Sequence, residues 1–240
     1  MVMADYKKTE VHRDNITKRS EKFWNLVASK YDKSMKHLEP LYLKIISNIR
    51  QYLNKSDTVM DYGCGTGAIS IEIANQVKRV HAIDISNKML DIAKRKADEQ
   101  GIDNVEFIQS TIFDERFKKE SFDLILAIGL LHLLKENKRS IERVTELLKP
   151  GGLFISSTPC MAERTDFLTK LRFYPVFLLT KLRLIPGFMN RLKIVDLTEI
   201  VSNQNIQIIE REEIFHTLTA CYIVAEKHSV CERTTRGHNS

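Results

Sequence analysis

One stretch constrains the fold of this chain more than any other: Val59-Met60-Asp61-Tyr62-Gly63-Cys64-Gly65-Thr66-Gly67-Ala68. It has a short apolar run that ends in an acid, then three alternating glycines, then the start of a helical pattern. Glycine tolerates positive φ and has no Cβ to keep a ligand away from the backbone. The helix that follows offers free N–H groups and the positive end of its dipole. The stretch therefore predicts a strand, a turn and a helix, with a nucleotide-type cofactor bound at the turn.

Two cofactor classes fit this turn. Gly63, Gly65 and Ala68 match the dinucleotide fingerprint, whose last glycine can be alanine. Asp84 ends the next predicted strand at the distance expected of a ribose-binding acid, which enzymes of both classes use. Asp61 discriminates between them, because a carboxylate so close to Gly63 would repel a pyrophosphate and attract the ammonium group of a methionine moiety. We therefore favour S-adenosylmethionine over NAD, with a purely structural glycine turn as the third interpretation.

Strand and helix patterns alternate along most of the chain. Such alternation predicts an α/β fold whose parallel sheet carries helices on both faces. Ser86 is a predicted N-cap, Gly101 a predicted C-terminal stop, and Asp196 the predicted start of a capping box. The predicted strands are 58–61, 79–84, 105–109, 122–128, 153–157, 206–210 and 219–226. The predicted helices are 19–31, 41–53, 68–76, 87–100, 138–148 and 196–204.

The same residues resemble a known family. The segment Asp61 to Gly67 is similar to motif I of the class I S-adenosylmethionine-dependent methyltransferases. Phe122 to Ala127 resembles their fourth strand, and Leu147 to Leu153 resembles the turn before their fifth strand. Phe23 to Asp32 resembles the N-terminal helix of the ubiquinone/menaquinone-type small-molecule branch. The resemblance implies a Rossmann-like fold with a mostly parallel seven-stranded sheet, an antiparallel last strand and a helical insertion after strand five.

The resemblance also implies roles for individual residues. Asp84 would bind the ribose hydroxyls, Ile85 would pack on the adenine, and Met89 would cover the adenine from the next helix. Thr111 and Ile112 stand where many members hold an adenine-binding Asp, so the Thr111 hydroxyl or a backbone carbonyl would make that contact. Tyr31 would close over the cofactor. Plain core packing is the alternative for several of these residues. The complete predicted cofactor-binding set is Tyr31, Asp61, Gly63, Cys64, Gly65, Thr66, Gly67, Asp84, Ile85, Met89, Thr111, Ile112 and Ala127.

Methyl transfer from a sulfonium needs mainly proximity, orientation and exclusion of water. A general base is required only when the acceptor must lose a proton. His132 follows the predicted fourth strand and is the candidate catalytic residue, although we prefer its interpretation as a structural histidine. Its segment, Leu130-Leu131-His132-Leu133, departs from the Leu-His-His pattern that is usual in the branch. Cys160 invites comparison with the nucleophile of cytosine-C5 methyltransferases, but their Pro-Cys motif is absent after strand four.

Residues Cys160 to Lys193 interrupt the alternation after strand five. The segment is rich in large apolar residues and in Lys and Arg. It emerges at the carboxyl edge of the sheet, where ligands bind, so it predicts a mainly helical lid for an apolar acceptor, with Phe173 and Phe177 as substrate contacts. Its basic residues predict contact with an anionic headgroup or a membrane surface. A helical hairpin that completes the core or forms a dimer contact is the alternative.

Length and composition agree with one soluble α/β domain. The chain has 240 residues, 43% hydrophobic and 28% charged, with a formal net charge of +6. We predict a flexible N-terminus at 1–18, a methyltransferase domain at 19–228 and a disordered tail at 229–240. The four cysteines are far apart, which predicts neither a disulfide framework nor a metal site. No signal peptide is visible, so we expect a cytoplasmic protein.

The predicted function is transfer of a methyl group from S-adenosylmethionine to a small, largely apolar metabolite such as a quinone precursor, a phenol or a lipid-like molecule. One alternative is a nucleic-acid methyltransferase that holds phosphates with its basic segments. No base-specific motif supports that reading, so we expect no nucleic-acid partner. Another alternative is a catalytically silent cofactor-binding protein. We expect a monomer or a homodimer.

Overall fold

The structure, a computed structural model, describes residues 2–160, 162–163, 167–168, 171, 174, 192–202, 205–216 and 218–229, with the backbone alone for residues 2–16. The predicted substrate contacts Phe173 and Phe177 lie outside the described residues, as do most of the predicted lid and residues 230–240 of the predicted tail. The boundaries predicted for the domain and its flexible ends stay predictions.

The described residues form a seven-stranded sheet. Its strands are β1 Thr58–Tyr62, β2 Arg79–Asp84, β3 Val105–Gln109, β4 Phe122–Ile128, β5 Leu148–Pro159, β6 Ile206–Phe215 and β7 Thr219–Lys227. Their order across the sheet is β3-β2-β1-β4-β5-β7-β6. The first five strands are parallel, and β7 is antiparallel to both of its neighbours. The predicted fold class is confirmed.

Six α-helices with defined bounds pack around the sheet in the described part of the chain. They are α1 Val2–Met35, α2 Glu39–Arg50, α3 Ala68–Ala74, α4 Asn87–Glu99, α5 Asn137–Leu147 and α6 Ile194–Val201. Ser86 is the N-cap of α4, as predicted, because its Oγ accepts a hydrogen bond from the N–H of Met89 at 3.2 Å. A proline in the first turn of α2 suits a helix start, where its missing N–H has no intrahelical role.

The sheet is covered on both faces, because successive strand residues point to opposite sides. One core cluster holds Val59 and Leu124 of the sheet together with the apolar stripes of α2 and α3. The other holds Met60 and Ile125 together with those of α5 and α6. The helices cover the two faces of the sheet, so the carboxyl ends of the parallel strands, which all lie at one end of the sheet, are covered, among the described residues, by loops and by α1. The loops at that end carry nearly all of the predicted site residues.

Several boundaries differ from the prediction. Helix α1 begins at Val2 and not at Arg19, since no glycine or proline interrupts its polar first half. Strand β6 extends to Phe215, beyond the predicted end at 210, because its pairing with β7 continues past an irregularity near Ile208. Helix α6 begins at Ile194, so Asp196 is its third residue and not its start, and the Asp196 carboxylate accepts a hydrogen bond from the Lys193 N–H at 2.9 Å. Strand β5 begins at Leu148, five residues earlier than predicted.

No helix among the described residues is both long enough and apolar enough to cross a membrane.

Candidate cofactor and acceptor site

The three glycines after β1 all have positive φ: 77° at Gly63, 53° at Gly65 and 78° at Gly67. A Cβ at Gly63 would lie 2.8 Å from Leu130 Cδ1, and one at Gly67 would lie 2.9 Å from the Cβ of Ala93 on α4. A Cβ at Gly65 would meet only the Tyr31 ring, at 3.9 Å. Gly63 and Gly67 therefore permit close packing of the turn, whereas Gly65 leaves open space beside the backbone.

Asp84, at the end of β2, lies directly against this turn. Its carboxylate accepts hydrogen bonds from the N–H of Gly65 at 3.0 Å and from the N–H of Ser86 at 2.8 Å. Burial nevertheless raises the pKa of Asp84 above its usual value. The carboxylate is therefore held in place by two backbone donors, at the point where the sequence predicts a ribose.

Asp61 lies beneath the turn and is 2% exposed. The Oγ of Ser70, on α3, donates a hydrogen bond to its Oδ2 at 2.5 Å. Burial raises the pKa of Asp61 to about 6, and the nearby charge of Asp84 acts in the same direction. Two carboxylates thus share one poorly solvated region, an arrangement that favours a positively charged ligand and disfavours a phosphate.

Helix α1 lies against the same loops. Burial and, to a lesser extent, the neighbouring hydroxyl of Tyr42, on α2, raise the pKa of Tyr31 well above its usual range. One residue further on, the Asp32 carboxylate accepts a hydrogen bond from Thr66 Oγ1 at 2.6 Å and forms an ion pair with Lys96 of α4 at 2.6 Å.

Asn25, seven residues before Asp32 in α1, contacts the start of α4. Its Oδ1 accepts hydrogen bonds from Ser86 Oγ at 2.7 Å and from the Lys88 N–H at 3.2 Å.

These contacts of Asn25, Asp32 and Tyr42 were missed by the sequence analysis. Asn25 and Asp32 are seven residues apart, a spacing that puts both on one face of a helix. That signal was present, but nothing in the sequence indicated which loops the face would meet.

A cavity of about 1080 Å³ opens where these segments meet. Apolar and aromatic side chains from α1 and α2, including Phe23, Trp24 and Leu41, form much of its wall. At the centre of the sheet, the turn after β4 adds Leu130 and Leu133. The predicted site residues that line the cavity are Tyr31, Gly63, Gly65, Asp84, Ile85, Met89, Thr111 and His132.

The other described residues of the predicted cofactor set do not line this cavity. Ile112 and Ala127 are fully buried in the core, as the packing alternative for Ile112 had it. Thr66 bonds to Asp32, and Gly67 packs against Ala93. Asp61 accepts a hydrogen bond from Ser70, and the Cys64 thiol donates to the carbonyl of Gly65 within the turn. Direct contact of these six residues with a cofactor stays a prediction.

His132 lies in a short 3-10 turn, Leu131–Leu133, just beyond β4. Its Nδ1 is buried and, among the described residues, has no hydrogen-bond partner. Burial lowers the pKa of His132 to about 4, so the imidazole is neutral at pH 7. A structural histidine normally has a protein partner for a buried ring nitrogen. His132 also lines the cavity, so its ring lies at the site although the buried Nδ1 has no described partner.

Cys160 is unsuited to nucleophilic chemistry. It is fully buried in the core next to β7. A hydrogen bond with the thiol of Cys221, together with burial, raises the pKa of Cys160 far above its usual value, which suppresses the reactive thiolate.

Known proteins share this sequence pattern and fold. A family model described as "Methyltransferase domain" matches residues 53–181, more than half of the chain. A ubiquinone biosynthesis O-methyltransferase of Pasteurella multocida is 32% identical over 153 residues, which cover 58% of this chain and 62% of that protein. The enzyme of the same description from Coxiella burnetii is 30% identical over 139 residues, covering 58% of this chain and 57% of the relative. The chain thus aligns with about three fifths of these curated relatives.

A solved structure agrees on the fold. The YcgJ protein of Bacillus subtilis superimposes with a TM-score of 0.62 at 18% identity, covering 78% of this chain and 99% of that one. The sheet order, the glycine turn and the match of the family model agree with one another, and the chain belongs to the class I S-adenosylmethionine-dependent methyltransferases.

Proposed function

We propose that this protein transfers a methyl group from S-adenosylmethionine to a small, largely apolar acceptor. The observation that carries the proposal is the single cavity that joins the glycine turn and Asp84 to a wall of apolar and aromatic side chains. Donor and acceptor bound in one cavity would be held close together and shielded from water, which is the main contribution a protein makes to this reaction.

The residues present fit the donor. Open space beside Gly65 allows a ligand to approach the backbone, and the Asp84 carboxylate at the same wall is suited to two ribose hydroxyls. The paired charges of Asp61 and Asp84 favour a cation, and S-adenosylmethionine carries both a sulfonium and an ammonium group. A dinucleotide would instead bring a negatively charged pyrophosphate to the same turn. The charges therefore support the methyl donor over NAD.

When bound, S-adenosylmethionine supplies an electrophilic methyl group on a positively charged sulfur. Asp84 holds the ribose end, and Gly65 lets the donor lie against the backbone. Tyr31 and Trp24 of α1 exclude water from the cavity. His132 is neutral and lines the cavity, and its imidazole is the group that would accept a proton from an acceptor hydroxyl.

The proposal of an apolar acceptor has support beyond the cavity wall. The two curated relatives are described as O-methyltransferases of ubiquinone biosynthesis. Described apolar residues of the segment after β5, such as Phe167 and Leu171, are helical and exposed. We propose that this segment contacts the acceptor or a membrane surface, with Phe173 and Phe177 as candidate contacts.

Labelled donor and fractionated cell extract provide the test of the reaction. We expect label to enter small molecules that partition into organic solvent. Label in RNA or in protein would contradict the acceptor class, and no transfer to any fraction would favour a catalytically silent cofactor-binding protein.

Calorimetry provides the test of the donor site. S-adenosylhomocysteine should bind and NAD should not. Asp84→Ala should weaken binding by more than tenfold, about 1.5–3 kcal/mol, because a charge-assisted bond to the ribose is lost. Asp91→Ala, which removes an acid that is 62% exposed on α4, is the matched control and should leave the dissociation constant unchanged.

A further inference from the structure

Three elements meet at the Asp32 carboxylate. Its Oδ1 accepts a hydrogen bond from the hydroxyl of Thr66 in the glycine turn, at 2.6 Å. Its Oδ2 lies 2.6 Å from the ammonium of Lys96 on α4, which also donates to the Thr66 carbonyl at 3.4 Å. Asp32 itself belongs to the last turn of α1. The carboxylate therefore ties α1 to both the turn and the helix that frame the cavity.

Helix α1 is also one wall of that cavity. Phe23, Trp24 and Tyr31 line it from α1, and the Tyr31 ring is the nearest group to the open side of Gly65. A ligand that lies against Gly65 is thus covered by the helical turn that Asp32 fastens. Covering elements of this kind must move for ligands to enter and leave, and their opening often limits the rates.

We propose that Asp32 is a positioning residue that latches α1 against the glycine turn and so controls how fast the methyl donor enters and leaves. The inference rests on the proposed function, since it takes the donor site as given. The Asp32 side chain is 49% exposed and that of Lys96 is 29% exposed, so the ion pair contributes about 1 kcal/mol or less to the closed position.

A latch makes a distinctive kinetic prediction. The contacts of Asp32 involve no ligand atom, so the latch holds α1 over the cavity in the same way before and after binding, and both binding and release pass through an opened state. Weakening the latch destabilises the closed form with and without ligand to the same extent. The association and dissociation rates should therefore rise by the same factor, and their ratio, the dissociation constant, should hardly change. A residue that contacts the ligand directly would instead change the dissociation rate and the affinity.

The experiment uses Trp24, the only tryptophan of the chain, as a fluorescent reporter within the cavity wall. Stopped-flow mixing with S-adenosylhomocysteine gives the association rate, and rapid dilution of the preformed complex gives the dissociation rate. Asp32→Asn keeps an acceptor for Thr66 but removes the ion pair with Lys96, and Lys96→Met removes it from the other side. We expect each to raise both rates about fivefold, equivalent to about 1 kcal/mol, and to leave the dissociation constant within about twofold.

Two controls separate the latch from general stability. Glu72→Gln breaks a comparably exposed ion pair with Arg50, 3.0 Å long, that joins α3 to α2 away from α1, and it should leave both rates unchanged. Added KCl should speed both steps in the wild type and have little effect in Asp32→Asn, because salt screens a half-exposed ion pair.

Unchanged rates in both variants, even with a lowered melting temperature, would show that the contact is only structural. A faster release with unchanged association would place Asp32 in ligand contact and overturn the latch. If the wild-type protein fails to bind S-adenosylhomocysteine at all, the proposed function falls, and the latch with it. Binding by the wild type with unaltered variant rates rejects the latch alone.

Discussion

The three glycines of the turn serve different purposes although all have positive φ. At Gly67 the neighbours of an added Cβ are core atoms of Ala93 and Phe107, at 2.9 and 3.2 Å. At Gly65 the added Cβ would instead enter the open space where we propose that the donor lies, with the Tyr31 ring 3.9 Å away. Gly101, at the C-terminal end of α4, also has positive φ (65°) but has no heavy atom within 4 Å of an added Cβ. A substitution at Gly101 therefore measures the free-energy cost of positive φ alone, a cost that is common to Gly63, Gly65 and Gly67.

Alanine at these positions should separate stability from binding. Gly101→Ala should cost about 1–2 kcal/mol of unfolding free energy from backbone strain alone. Gly67→Ala should cost a further 1–3 kcal/mol or so, because it overpacks the contact with α4. Gly65→Ala should cost about as much as Gly101→Ala, yet weaken S-adenosylhomocysteine binding by on the order of tenfold or more. Urea unfolding and calorimetry on the three variants check this; equal losses of stability at Gly65 and Gly67 would contradict it.

The carboxyl group of Asp61 makes stability depend on pH. Its folded-state pKa of about 6 lies above the usual value of 3.8, so between these values the folded protein binds more protons than the unfolded chain. Its contribution to stability is therefore present below about pH 4 and is lost as the pH rises through 6. The cause is burial of a charge that the unliganded site only partly compensates.

Asp61→Asn should consequently stabilise the unliganded protein at neutral pH. Asparagine can still accept the hydrogen bond from Ser70 but carries no charge. Relative to the wild type, the variant should gain roughly 2–3 kcal/mol of unfolding free energy between pH 4 and pH 7. Denaturant unfolding across this range measures the gain. The difference from the wild type cancels titrations common to both proteins, including that of His132, so a difference independent of pH would rule out the raised pKa.

At the scale of elements, α1 is attached to the domain largely through polar contacts with loops. Asp32 meets the glycine turn, Asn25 meets the start of α4, and Glu21 accepts a hydrogen bond at 3.2 Å from the side-chain amide of Gln109, the last residue of β3. Gln109 Nε2 also donates to the carbonyl of Ile85 at 3.0 Å. One face of α1 thus reaches the loops after three parallel strands, and an adjacent face covers the cavity. These hydrogen bonds fix the position of the helix relative to the loops.

Asn25→Ala tests whether these contacts stabilise the helix. Alanine has the higher helix propensity, so an isolated α1 would become more stable. We expect the protein instead to lose about 1 kcal/mol, since the Ser86 hydroxyl and the Lys88 N–H lose their shared acceptor. Leu26→Ala, at the neighbouring residue that is 80% exposed, is the control and should have almost no effect. A gain in melting temperature for Asn25→Ala would show that the contact contributes nothing to stability.

For the whole molecule, the sheet order places the β1 and β4 strands at the centre and the ligand cavity at their carboxyl ends. The central strands have fully buried residues such as Val59 and Leu126, whereas α1 has half-exposed polar contacts. Local stability should follow this difference, because openings that expose little apolar surface need little free energy.

Hydrogen exchange should therefore show two levels of protection. Amides of β1 and β4 should exchange only on global unfolding, and amides of α1 in residues 17–35 should exchange faster by a local opening. S-adenosylhomocysteine should slow exchange in α1 much more than in α6, which lies away from the cavity. Equal protection of α1 and β4 in the unliganded protein would contradict this picture.

The sequence by itself determined the local features of this protein. Strands β2, β3 and β4 have the predicted bounds, and Ser86 caps α4 as expected, because apolar periodicity and capping act between residues close along the chain. The glycine turn and its two acids, Asp61 and Asp84, were likewise readable from spacing alone. Strand and helix alternation then restricted the fold to a parallel sheet covered on both faces, which the structure has.

Only the tertiary structure decided which of these residues face a ligand. Ile112 turns into the core while its neighbour Thr111 lines the cavity, and His132 has a buried nitrogen without a described protein partner. The bond between Asp32 and Thr66 joins segments far apart in the chain, and a helical spacing gives no sign of the surface that it will meet. The burial, the pKa and the hydrogen-bond partner of a side chain depend on packing between distant segments. They are therefore determined only once the helices have packed against the sheet.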